Sequence, residues 1–133
     1  MAIPKKVLKL VQARDSHCWH CGQEDDLVPH HRINRGMGGS KLLDTPDNLM
    51  MVCGGHNGAM EADWRVARDA RGWGHKLAVW ESLDRPVFDV AGGWWILLPV
   101  GSKVEFNAID KPFWRYNRDE GRSQTLRPSS RNR

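Results

Sequence analysis

Two short half-sites constrain what this chain can fold into more than any other feature. Cys18 and Cys21 in CWHC stand three positions apart, and Cys53 and His56 in CGGH repeat that spacing. A two-residue gap lets one tight turn aim both side chains at a single tetrahedral cation. Two such pairs joined by a hairpin make a Cys3His zinc site. The CxxC spacing alone also serves redox dithiols. A thioredoxin-type dithiol opens a helix, however, and here Gly22 and the polar run Gln23 to Asp26 follow. His17 and His20 adjoin the thiols and compete for the fourth corner. His20 lies inside the knuckle turn, where a side chain points outward, so His56 is favoured over both.

Three cysteines cannot all pair with one another, and nothing suggests export, so the thiols read as metal ligands in a reducing cytoplasm. Charges interrupt the apolar stretch of MAIPKKVLKLVQARD, and the longest apolar run elsewhere is Trp94 to Val100. Neither a signal peptide nor a membrane span is expected. At 133 residues the chain can bury one modest core. Its net charge of +4 favours an anionic partner such as nucleic acid.

Lys5 to Arg14 places Val7, Leu8, Leu10 and Val11 at helical spacing before Asp15 and Ser16 break it. Leu27 to Ile33 predicts a strand, Asn34 to Asp47 a long loop rich in Gly and basic residues, and Asn48 to Val52 a second strand. From Asn57 to Arg71, Met60, Trp64, Ala67 and Arg71 step down one helical face, with Gly72 at the C-cap position. A strand, loop, strand, helix unit results, occupying residues 15–72. Pro86 to Asp89, Trp94 to Leu98 and Val104 to Phe106 then alternate with turn residues, the pattern of a small antiparallel β meander over about residues 85–107, with its tryptophans packed on the helix. Residues 1–116 are expected to form one domain. Residues 117–133, with one leucine and no aromatic residue, are expected to be a disordered basic tail.

His30 and His31 close the first strand and precede RINRGMGGSK. A neutral imidazole there can take a proton from water near pH 7, while its neighbour holds a divalent metal. Adjacent side chains of a flat strand face opposite ways, so both serve one site only where the strand twists or ends. Arg32, Arg35 and Lys41 flank Gly36, Gly38 and Gly39, a composition that lets backbone approach a phosphodiester while cations neutralise it.

Over about residues 15 to 64 the chain resembles the HNH endonuclease family, specifically its zinc-stapled, phage-type members. CWHC, HHRINRGMGG, DNLMMVC and HNGAME carry the resemblance. In that family the motif asparagine is followed five residues on by a zinc cysteine, three later by the second zinc ligand, and then at once by the last motif residue. Asn48, Cys53, His56 and Asn57 stand in that register. The resemblance implies an α+β fold with a ββα-metal core and a structural zinc. His30 and Asn57 become ligands of a catalytic divalent ion, His31 the general base, and Asn48 a brace tying the loop to the hairpin. Two positions depart from the commonest pattern, His56 for a zinc cysteine and Asn57 for the final histidine. Glu61, one helical turn beyond Asn57, becomes a further ligand, an orienting group or a plain surface carboxylate. A register slipped by one residue would instead give His56 to the catalytic ion and leave zinc three protein ligands.

The activity this implies is hydrolysis of DNA phosphodiester bonds assisted by Mg2+ or another divalent cation, nicking one strand by default, in a phage-encoded protein acting in the host cytoplasm. Arg32, Arg35 and Lys41 are the expected DNA contacts. The alternative is a non-catalytic zinc-dependent DNA-binding module or a phage packaging accessory, which would keep the zinc ligands but have no use for His31, Asn48 and Asn57 in family register.

Overall fold

The computed structural model describes residues 2–35 and 41–106, so the tip of the long loop and the expected basic tail lie outside the described residues. In chain order the elements are α1 (Lys5–Arg14), β1 (Leu27–His31), a 3-10 turn at Lys41–Leu43, β2 (Leu49–Cys53), α2 (Gly54–Ala62), α3 (Trp64–Gly72), β3 (Val87–Phe88), β4 (Trp94–Leu97) and β5 (Lys103–Glu105). The class is α+β. Among the described residues two antiparallel sheets form, β1-β2 and the meander β3-β4-β5.

In the hairpin, Leu27 lies opposite Cys53 and His31 opposite Leu49. All five residues of β2 are buried, because its two faces are covered by different partners. Leu49 and Met51 pack under Val11 and Val7 of α1, while Met50 and Val52 point into the larger cluster with Cys18, Trp19, Met60 and Ala70. Each such side chain contributes roughly 1.5–3 kcal/mol when fully buried. This makes β2 the fixed axis of the hairpin.

Among the described residues no strand lies beside the outer edge of β2, which is closed by groups from the end of α1 and the segment after it. Arg14 Nη2 donates to the Leu49 carbonyl at 2.6 Å, and the Met51 amide donates to Asp15 Oδ2 at 3.0 Å. Trp19 N donates to the Met51 carbonyl at 3.4 Å. Side chains thus do what a third strand would do, and the edge is not left open.

The single helix expected over Asn57 to Arg71 is two helices. Asp63 takes an extended conformation, φ −126° and ψ 114°, ends α2 and caps α3 by accepting from Arg65 N at 2.9 Å. An aspartate caps a helix start well because its carboxylate satisfies an otherwise unpaired amide. The break also rotates the faces, so Met60 is buried while Trp64 is 69% exposed, with the Arg68 guanidinium 5.2 Å above its ring. The left-handed residue after α3 is Gly74, φ +78°, two positions beyond the expected Gly72. β3 and β4 are shorter than expected and β5 lies one residue earlier, but the antiparallel order is the expected one. Val87, Leu97 and Trp95 join Val66 and Ala70 of α3 in the main cluster. The meander therefore shares the hairpin's core.

Candidate metal and catalytic site

Cys18, Cys21 and Cys53 bring their sulfur atoms within 4.8 Å of one another. Local backbone explains it. Gly22, φ +82°, turns the chain back so that its amide meets the Cys18 carbonyl at 2.8 Å, while Cys53 is the N-cap of α2. The sulfurs already collect amide donors, from His20 N to Cys18 Sγ and from His56 N to Cys53 Sγ, both at 3.3 Å. Burial raises the Cys18 thiol, but the amides of Cys53, Cys21 and His20 outweigh it and hold it below its ordinary value. At Cys18 this favours thiolate, the form that binds metal, whereas at Cys21 the Gln23 amide lowers the thiol but burial and the neighbouring Cys18 and Cys53 sulfurs raise it overall.

His56 is not in that group of sulfurs. Its ring lies face to face on His20, centroids 3.7 Å apart and 5° from parallel. Among the described residues neither of its buried ring nitrogens has a hydrogen-bond partner. Burial, helped by the charges of His20 and His30, pushes its pKa down to about 4. A buried imidazole with two orphaned nitrogens is costly unless something occupies it, and metal coordination is one way to satisfy it. Three clustered thiols beside such a ring fit a zinc ion's donor preferences. His17 is engaged elsewhere, with Nε2 at 2.9 Å from Asp89 in the meander.

A cleft of about 210 Å³ is lined by Pro29, His30, His31, Asn34, Asn57, Glu61 and Lys76. β1 ends at His31, so the two adjacent histidines both reach this cleft although a continuing flat strand would separate them. Asn57 and Glu61 arrive from α2, one turn apart. His30 is buried, and its Nε2 donates to the His75 carbonyl at 2.6 Å, which leaves Nδ1 as the ring's lone-pair nitrogen. Burial pushes its pKa down to about 4, so the ring is neutral at pH 7, as a metal ligand must be.

Two further residues that sequence reasoning passed over belong here. Asp44 Oδ1 lies 2.7 Å from His31 Nε2. A carboxylate only accepts, so Nε2 carries the proton and Nδ1 is left as base. Lys76 lines the cleft with its ammonium 3.7 Å from Glu61 Oε2, placing a cation beside the acid. Neither had a local signal: Asp44 sits thirteen residues after His31, in the loop, and Lys76 follows α3 in an irregular connection.

Asn48 is fully buried, and its amide closes the neck of the loop. Oδ1 accepts from Ile33 N at 2.8 Å, and Nδ2 donates to the Ile33 and Leu43 carbonyls at 3.1 and 3.0 Å. These bonds brace the loop against the end of the hairpin.

The expected DNA contacts fare differently. Arg32 is fully buried and makes no surface for phosphate. Its guanidinium donates to four carbonyls, those of Gly74, Asp47, Leu83 and Arg85, at 2.8–3.1 Å. Burial, with Arg85 nearby, pushes its pKa down to about 9, still charged at neutral pH. The assignment of Arg32 to DNA is therefore corrected: a planar fork of donors is used to tie β1 to the segment 74–85. Arg35 is mostly buried, its Nε 3.5 Å from Asp44 Oδ1. The side chain of Lys41 lies outside the described residues, as do Gly36, Gly38 and Gly39. Among the described residues no helix is long and apolar enough to cross a membrane. No family model, no curated protein and no solved structure matches the chain.

Proposed function

We propose that this chain is a metal-dependent endonuclease of the HNH type, hydrolysing DNA phosphodiester bonds and nicking one strand per site, with zinc as a structural staple. The observation that carries the reading is the convergence of His30, His31, Asn57 and Glu61 on one cleft, with His31 oriented by Asp44.

Cys18, Cys21 and Cys53, with His56, would hold the zinc, whose ligation energy contributes to folding. His30 and Asn57, with Glu61 beside them, would hold a divalent ion such as Mg2+, which supplies charge stabilisation at the scissile phosphate and the leaving 3′ oxygen. His31 keeps its Nε2 proton against Asp44 and accepts a proton from water at Nδ1, a contribution of roughly a hundredfold to ten-thousandfold in rate. Lys76, whose ammonium lies 3.7 Å from Glu61 Oε2, offers a positive charge to the phosphate. A phage origin fits the members of the family that the motifs resemble.

Supercoiled plasmid with Mg2+ or Mn2+ tests this directly. Metal-dependent conversion to the nicked form, lost in His31→Ala with zinc content and DNA affinity unchanged, supports the nuclease. DNA binding without nicking under any divalent cation would mean a non-catalytic binding or packaging module. That reading leaves the Asp44–His31 pair without a purpose.

A further inference from the structure

His30 is held by a part of the chain that lies beyond the motif-bearing stretch. Its Nε2 meets the His75 carbonyl at 2.6 Å, and both residues are buried, His75 completely. A carbonyl only accepts, so this contact selects the Nε2-protonated tautomer. The placement of that carbonyl is itself over-determined. Gly74 has φ +78°, and a Cβ there would come 2.2 Å from the Pro86 carbonyl oxygen, so the chain can turn and approach the meander this closely only with glycine. His75 N donates to the Ala70 carbonyl at 2.9 Å, and Phe88 N to the Trp73 carbonyl at 2.8 Å. The His75 ring donates from Nε2 to the Phe88 carbonyl at 2.7 Å. From the other side, Arg32 Nε donates to the Gly74 carbonyl at 2.9 Å, and Leu77 N donates to the Arg32 carbonyl at 2.8 Å. The end of α3, strand β3 and the end of β1 thus all grip residues 73–77.

We propose that residues 73–77, acting through the His75 carbonyl, are a positioning element of the catalytic centre that fixes the tautomer and orientation of His30, so that the meander is part of the nuclease machinery. The inference rests on the reading of His30 as a ligand of the catalytic ion. The chemistry is general: a metal-binding imidazole presents one nitrogen to the ion while the other donates to a fixed acceptor, and loss of that acceptor typically weakens metal binding about 10–100-fold. His75 is a positioning residue, since it reaches the ion only through His30. Its ring anchors the carbonyl to β3, so truncating the ring loosens the carbonyl without removing it.

The test uses the full-length, zinc-loaded chain and two measurements that do not depend on cleavage. In the absence of any added divalent ion, nitrogen-15 NMR of the imidazoles reads the His30 tautomer. Titration with Mn2+ followed by electron paramagnetic resonance reads affinity at the cleft. The wild type should show His30 protonated on Nε2, with that proton protected from exchange. His75→Ala should give mixed tautomers and Mn2+ binding weakened about 10–100-fold at unchanged zinc content. His75→Gln, which keeps an N–H donor for the Phe88 carbonyl, should recover most of both. Wild-type His30 protonated on Nδ1 overturns the proposal, whatever the variants do and even if His75→Ala fails to fold. So does His75→Ala with wild-type tautomer and wild-type Mn2+ affinity. Wild-type chain that has the Nε2 tautomer but binds no Mn2+ overturns the catalytic role given to His30, and with it the role of residues 73–77 in metal binding, leaving only the hydrogen bond.

Discussion

His31 Nε2 and Asp44 Oδ1 stand 2.7 Å apart across the neck of the long loop, and Arg35 Nε approaches the same oxygen at 3.5 Å. The carboxylate fixes the orientation of an imidazole that stands at a strand end and holds its proton on Nε2.

Asp44→Asn should therefore lower cleavage about a hundredfold or more, because the amide can donate to Nε2 and favour the wrong tautomer. Zinc content and DNA affinity should stay as they were. The check is single-turnover plasmid nicking of the variant beside the wild type, and a rate within about threefold would show that Asp44 is a bystander to the base.

Arg32 leads to a different expectation from the one its place in a basic loop suggested. Removing it leaves four carbonyls fixed by the fold without their donor, one of these bonds fully buried and three partly, and a carbonyl left unsatisfied in the interior costs about 1–3 kcal/mol. Arg32→Ala should destabilise the domain by about 3 kcal/mol or more, measured by urea unfolding of zinc-loaded protein. The salt dependence of DNA binding by whatever remains folded should keep the wild-type slope, since a buried guanidinium releases no counterions.

Arg32 also shows where sequence reasoning stops. Composition records that a cation sits among glycines, but a solvated guanidinium and one satisfied by carbonyls contributed from positions 47 to 85 look alike in sequence. α1 was legible because its apolar spacing and the Asp15 stop both lie within fifteen residues. The hairpin was legible because β2 is an apolar run with a turn-rich loop before it. Asp63 was misread, since the apolar period carries on past it, although an aspartate before a fresh helical run is a capping signal. Asp44 and His75 became partners of His31 and His30 only through tertiary contacts, and no local periodicity announces those.

Acid should weaken the fold through its histidines. Burial pushes His30 down to about 4 and His75 to about 3, against an ordinary value near 6.5. Between those values the unfolded chain binds protons that the folded chain does not, so stability is full above about pH 6.5 and falls as pH drops toward 4. Each such histidine contributes up to about 1.4 kcal/mol per pH unit in that window. Release of a zinc ion held by the thiols would add to the loss in every variant. The comparison that isolates the histidine is therefore His75→Gln against wild type, whose unfolding free energies should converge as pH falls from 7.5 to 5. A constant gap would show that His75 is not withheld from protons in the folded chain.

A zinc ion held by the three thiols would take its fourth protein ligand from one of two stacked rings. His20 and His56 lie 3.7 Å apart and nearly parallel, too close for both to carry charge. Burial lowers the pKa of each. They differ in what satisfies them: both His56 nitrogens are buried and orphaned, and its own amide is already bonded to the Cys53 sulfur at 3.3 Å, which holds the residue at the cluster's rim. His56 should therefore close the site by turning its ring out of the stack toward the thiols. The purified protein should carry one zinc per chain, and His56→Ala should hold it much more weakly, whereas His20→Ala should retain it. His56→Cys should fold, keep zinc and keep cutting, because thiolate and imidazole are exchangeable at a tetrahedral corner whose bond lengths differ by only about 0.2–0.3 Å. Asn57→Ala, one residue further along, should leave zinc in place and lower cleavage strongly, since that side chain faces the cleft instead. Elemental analysis and plasmid nicking on the four variants separate the outcomes. If His56→Cys retains zinc and fold but abolishes cleavage while Asn57→Ala is harmless, His56 serves the catalytic ion and the register of the whole site shifts by one residue.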